Sequence, residues 1–215
     1  IIWSSCSPDF GIQGVVDRFK QIEPKVLITS DYYFYNGKKI NILEKIDDIL
    51  VEIKSVKKVI VFPYKKNEKV FTEGFVNFED ALSKSNFDET FERFDFNHPI
   101  YILYSSGTTG KPKCITHGTG NVLIEHNKEF MLHCDVKDGD RLFYYTTTGW
   151  MMWNWLVGGL ATGSSIFLFD GAPTYPKINI LLEYCQNKKI TLFGVSAKYI
   201  DHLKNEKFNS QGLDL

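Results

Sequence analysis

Tyr101-Ile-Leu-Tyr-Ser105-Ser-Gly-Thr-Thr-Gly110-Lys-Pro-Lys113 is the stretch on which the fold turns, an apolar run that stops abruptly at hydroxyls, glycines and two lysines. Pro99 to Tyr104 is β-branched and aromatic without polar alternation, the pattern of a strand covered on both faces of an α/β sheet. Chemistry is then expected at its carboxyl end, where parallel sheets bind ligands. Gly107 and Gly110 allow positive φ, so the backbone N–H groups curl toward one point, and Ser105, Ser106, Thr108 and Thr109 add four hydroxyls. Lys111 and Lys113 add two cations, and nothing acidic lies between Ile100 and Thr119. Such a loop suits the oxygens of a polyphosphate, each charge-assisted bond being worth about 1.5 to 3 kcal/mol. A solvated surface turn has the same composition, but a turn alone does not call for an apolar strand before it.

The common P-loop pattern, G-x-x-x-x-G-K followed by Ser or Thr, fails twice. Ser105 stands at its first glycine, and Pro112 stands where the magnesium-binding hydroxyl belongs. Residues 105–113 instead resemble the phosphate-loop signature of the adenylate-forming superfamily, which comprises acyl-CoA synthetases, luciferases and peptide-synthetase adenylation domains. That signature runs Ser/Thr, Ser/Thr, Gly, Ser/Thr, Thr, Gly, any residue, Pro, Lys, and every fixed position matches.

Composition excludes several other classes of function. The 25 basic and 26 acidic residues nearly cancel, so there is no global field to recruit nucleic acid or an anionic membrane. No apolar run approaches the roughly 20 residues of a membrane span, and the start lacks the basic region of a signal peptide. A cytoplasmic setting is expected. Cys6, Cys114, Cys134 and Cys185 are scattered without a C-x-x-C pair or zinc spacing, which predicts free structural thiols. The absence of an initiator methionine and the end at Gly212-Leu-Asp-Leu point to a piece of something longer.

Strand-like and helical runs alternate along the chain. Strands are expected at 1–5, 25–29, 58–62, 141–146, 165–169 and 190–195. Helices are expected at 9–21, 42–53, 121–133, 150–160, 178–186 and 197–204, with a short one near Phe78 and, in the helix from Asn121, Leu123, Phe130 and Met131 on one buried side. The alternation predicts an α/β fold with mostly parallel sheets and crossover helices. A sub-domain seam is placed near residues 86–98, where the pattern is polar and aperiodic.

A second stretch, Thr146-Thr-Thr-Gly-Trp150-Met-Met-Trp-Asn-Trp155, follows an expected strand, and only Asn154 is polar from Trp150 to Val157. A helix apolar on every side is buried all round, with Gly158-Gly159 allowing close packing. Alternatively, Gly149, Trp150, Met151 and Met152 line a small acyl pocket that methionine makes apolar and adaptable. Taken with Leu168-Phe-Asp-Gly-Ala-Pro173 and the opening Trp3-Ser-Ser-Cys-Ser-Pro-Asp-Phe-Gly11, this stretch looks like the acetoacetyl-CoA synthetase family.

The resemblance implies an incomplete large N-terminal domain, residues 1–215, of an ATP-dependent ligase. Such a ligase joins acetoacetate to coenzyme A through an acyl-adenylate, with Mg2+ as cofactor. It implies phosphate binding by Ser105, Ser106, Gly107, Thr108, Thr109, Gly110, Lys111 and Lys113, with Lys113 in the catalytic role, and acyl binding by Gly149, Trp150, Met151 and Met152. His117 stands where the family commonly has a histidine, and a structural role fits it equally. The family's magnesium-binding acidic motif, ribose aspartate and C-terminal lysine are not matched in these residues, so the metal ligands are unknown and the isolated piece is expected to be inactive. A ligase for another short-chain carboxylate, or a non-catalytic nucleotide-binding module, are the alternatives.

Overall fold

The computed structural model describes residues 2–65, 73–83, 90–105 and 113–214, with backbone alone at 104–105 and 113–114. The chain divides into two units, Ile1–Glu89 and Thr90–Leu215.

In the first unit the order is α1 (Ile12–Phe19), β1 (Val26–Ser30), β2 (Tyr32–Tyr35), β3 (Lys38–Asn41), α2 (Leu43–Glu52), β4 (Lys58–Phe62), β5 (Val76–Asn77) and α3 (Phe78–Ser83). Strands β1, β4 and β5 form a parallel sheet in that spatial order. Alternation sends Leu27, Val59 and Val61 to one face, where Val16 and Phe19 of α1 and Ile46 and Ile49 of α2 pack on them with Ile53. Ile46, Ile49 and Ile53 recur at three and four residues, so one helical stripe meets one sheet face.

Two expectations fail here. Residues 2–5 form no strand, and Ile2 and Trp3 are exposed. Between β1 and α2 the chain folds back as the β2–β3 hairpin, with Tyr35 opposite Lys38. Asn36 and Gly37 both take positive φ, 49° and 72°, as a two-residue turn matched to strand twist requires. Asn-Gly was the local signal for this hairpin, and the expected strand–helix alternation passed over it.

The second unit runs β6 (Pro99–Ser105), β7 (Lys113–Gly118), α4 (Thr119–Lys128) ending in a π-helical turn (Glu129–His133), β8 (Arg141–Tyr144), α5 (Met151–Gly158) ending in a 3-10 turn (Gly159–Thr162), β9 (Ser165–Phe167), α6 (Ile180–Lys188), β10 (Leu192–Gly194) and α7 (Ala197–Asn205). Strands β10, β8 and β9 make a parallel sheet with β8 in the centre. Leu142 of β8 faces Phe130, Leu156 and the Trp153 and Trp155 rings on one side. Its neighbour Phe143 faces Leu181, Cys185 and Tyr199 on the other. The crossover through α5 therefore covers one face and that through α6 the opposite face, as right-handed connections to a strand on each side of β8 demand. Gly159 sits where a Cβ would meet the Leu142 side chain, and a Cβ on Gly158 would meet His126 of α4. The glycine pair thus permits the close packing of α5 on β8 and α4. Burial in this contact lowers the His126 pKa from its ordinary value.

Three sequence expectations are corrected in this unit. Strand β6 is present, but it pairs antiparallel with β7, and Ile102 is 54% exposed on it. Only seven residues join the two strands, whereas a parallel return needs a dozen or more. Leu123 and Met131 are exposed while Phe130 is fully buried. The helix changes at Glu129–His133 to a π-helical turn, closed by Cys134 N–H donating to the Glu129 carbonyl, so Phe130 and Met131 lie in a turn that departs from the 3.6-residue period. Finally, α5 is not buried all round. Its start is open, with Trp150 66% exposed, and its burial begins with Trp153, Trp155 and Leu156.

Candidate active site

The signature loop grows from the end of the β6–β7 hairpin. Residues 106–112 lie outside the described residues, which takes in Ser106, Gly107, Thr108, Thr109, Gly110 and Lys111. Its two ends are fixed by the backbone, since Ser105 and Lys113 are register partners in the last rung. Residues directly opposite in an antiparallel pair are about 4.5 to 5.5 Å apart at Cα. The first hydroxyl residue and the last lysine of the signature are therefore brought together by strand pairing, before any contribution from the loop itself. His117 lies opposite Tyr101, four residues further along β7, roughly 13 Å from Lys113 at the rise of a strand.

The second stretch leaves the carboxyl end of β8, the central strand. Thr147 accepts from the Trp150 N–H at 3.2 Å through its carbonyl, and Trp150 in turn accepts from the Trp153 N–H at 3.0 Å, so a tight turn delivers the chain into α5. Gly149, Trp150 and Met151 are exposed and Met152 is half-buried. This splits the two sequence readings along the helix, the open end carrying Trp150 and Met151 and the remainder serving the core. The loops leaving β8 and its two neighbours turn to opposite faces of the sheet, the arrangement that opens a crevice at the carboxyl ends. Tyr145, directly after β8, bonds to segments at the ends of both neighbouring strands. Its N–H donates to the Gly194 carbonyl at the end of β10, and its hydroxyl donates to the Gly171 carbonyl beyond β9, at 2.8 Å. A Cβ on Gly194 would meet the Tyr144 ring, so the end of β10 lies hard against the end of β8. The part played by Tyr145 had no signal in the sequence.

Cys6, Cys134 and Cys185 are free thiols. Burial raises the pKa of Cys6 and Cys134 and pushes that of Cys185 up to about 11, which disfavours the thiolate. Cys114 begins β7 next to Lys113, and its side chain lies outside the described residues. Among the described residues no group of three His, Cys, Asp or Glu side chains is placed to hold a metal ion. Among the same residues no helix is long and apolar enough to cross a membrane.

The family model described as "AMP-binding enzyme" matches residues 1–214. The acetoacetyl-coenzyme A synthetase of Rhizobium meliloti (strain 1021) is 46% identical over 211 residues, covering 96% of this chain and 32% of that protein. The acetoacetyl-CoA synthetase of Gallus gallus is 45% identical over 95% of this chain and 32% of its own length. A malonamoyl-CoA synthetase of Penicillium aethiopicum is 37% identical over 96% of this chain. Among solved structures, acetoacetyl-CoA synthetase from Streptomyces lividans superposes with a TM-score of 0.86 at 41% identity, over 100% of this chain and 33% of that one. The chain thus spans about a third of the length of these relatives.

Proposed function

The chain belongs to the AMP-binding enzyme family, and from that membership we propose that the full-length protein joins acetoacetate to coenzyme A at the expense of ATP, residues 1–215 contributing to its large N-terminal domain. The observation that carries the reading is the complete phosphate-loop signature at 105–113, seated on a hairpin that pairs Ser105 with Lys113. Identities of 46% and 45% to acetoacetyl-CoA synthetases support the acyl group.

In the proposed reaction a carboxylate oxygen of acetoacetate attacks the α-phosphorus of ATP, forming the acyl-adenylate and releasing pyrophosphate. The sulfur of coenzyme A then attacks the acyl carbon, loses its proton, and AMP leaves. The role assigned to this chain is electrostatic. Thr108, Thr109 and Lys113 hold phosphate oxygens while charge moves onto the leaving pyrophosphate. Ser105, Ser106, Gly107, Gly110 and Lys111 shape or flank those contacts. Gly149, Trp150, Met151 and Met152 bound the acyl chain at the open end of α5. Mg2+ is the proposed metal cofactor, and among the described residues no group of three His, Cys, Asp or Glu side chains is placed to hold it. The cytoplasm, which supplies ATP and coenzyme A, is the setting proposed.

If Met151 and Met152 bound the acyl chain, Met151→Ala or Met152→Ala is expected to admit longer acids at the expense of acetoacetate. An unchanged substrate ranking with lowered thermal stability would assign them to packing alone. The reading as a whole is tested by comparing acetoacetate, acetate and butyrate as substrates for thioester formation by the full-length protein. Acetoacetate is expected to have the highest kcat/KM. A preference for another short acid would move the assignment to a different ligase, in line with the malonamoyl-CoA synthetase relative, and no activity with any acid would leave a nucleotide-binding module.

A further inference from the structure

The loop after β9 is held at both ends by tyrosine hydroxyls from other elements. Tyr184 of α6 donates to the Leu168 carbonyl at 2.8 Å, and Tyr145 at the end of β8 donates to the Gly171 carbonyl at 2.8 Å. Between these two points the Phe169 ring stands edge-on to both tyrosines, with centroids 6.3 Å from Tyr145 and 5.5 Å from Tyr184. Gly171 has a φ of 144°, a conformation that side-chain-bearing residues rarely adopt, and Ala172 directly after it is buried. A loop at the carboxyl end of a parallel strand is ordinarily the adaptable part of an α/β site. Here it is built to hold one shape.

Tyr145 is also where the three carboxyl-end segments meet. Its main chain ties β8 to the end of β10 through the Gly194 carbonyl, its side chain ties β8 to the loop after β9, and the residues directly following it lead to Gly149 and Trp150. We propose that Tyr145 is a positioning residue for the carboxylate site, its hydroxyl fixing the 168–172 loop against the end of the central strand so that one wall of the crevice keeps its shape. The proposal rests on the ligase reading of the same crevice. It differs from simple packing because the ring can remain in place while the hydroxyl is removed. Fixing a wall of the site before the substrate arrives lowers the ordering cost of binding, so the effect belongs in KM for the acid.

The test uses the full-length protein with Tyr145→Phe, which removes one oxygen and keeps the ring. KM for acetoacetate is expected to rise roughly 2- to 12-fold, the range for one lost hydrogen bond. In the same variant kcat should stay within about twofold, and amide exchange across 168–172 should quicken. An active variant with unchanged KM overturns the proposal, as does a loss of activity that only tracks the folded fraction. Tyr184→Phe releases the other end of the same loop from a more exposed hydroxyl. It is expected to raise the same KM by a smaller factor, and it decides the matter if Tyr145→Phe does not fold, an unchanged KM again overturning the proposal. Wild-type protein that activates no short carboxylate counts against the ligase reading, whereas faster loop exchange in Tyr145→Phe still reports on the hydroxyl.

Discussion

Lys113→Ala in the full-length protein is expected to lower adenylation efficiency by roughly 10- to 150-fold, the equivalent of one charge-assisted bond to a phosphate at about 1.5 to 3 kcal/mol. The substitution leaves the backbone pairing of Lys113 with Ser105 intact, so the hairpin stays folded and the loss isolates the ammonium. If the bond forms chiefly as charge builds on the departing pyrophosphate, the loss lies in kcat. If ATP in its ground state is held equally well, the loss lies in KM for ATP. Pre-steady-state release of pyrophosphate measures the step directly, and rates equal to wild type would remove Lys113 from the catalytic role.

The second large effect concerns the scaffold of the crevice. Leu142 is fully buried on β8, facing Phe130 and Leu156, and Gly159 presses against it without a side chain. Leu142→Ala leaves a cavity between a sheet and a helix already at closest approach, where little collapse is available, and should cost about 2 to 5 kcal/mol. Urea unfolding of the 215-residue chain would show this as a lower midpoint at constant slope. A loss below about 0.5 kcal/mol, the usual size of a surface effect, would mean that the β8–α5 contact does not hold the second unit together.

Much of this architecture was legible because it is written locally. Ile46, Ile49 and Ile53 carry helical phase, and the apolar runs at 58–62 and 141–144 are strands of parallel sheets. The failures arise where a partner at a distance decides. Strand β6 shows an unbroken apolar pattern, yet only the seven-residue return to β7 determines that its neighbour is antiparallel. The π-helical turn at Glu129–His133 is a departure that no period reveals in advance.

The candidate site divides in the same way. The proposed phosphate loop is legible from nine consecutive residues, because polyphosphate binding calls for those types at that spacing. The Tyr145 hydroxyl bonds a carbonyl 26 positions away, and a tyrosine ending an apolar strand carries no mark of that destination. Gly194 is similarly silent until the Tyr144 ring is seen against it.

The proposed ligation turns on an acyl-adenylate formed before coenzyme A takes part. Exchange of labelled pyrophosphate into ATP by the full-length protein measures that step alone. Exchange is expected to require acetoacetate and to proceed without coenzyme A. Exchange that is absent with acetoacetate, or that needs coenzyme A to begin, would contradict the proposed ligation.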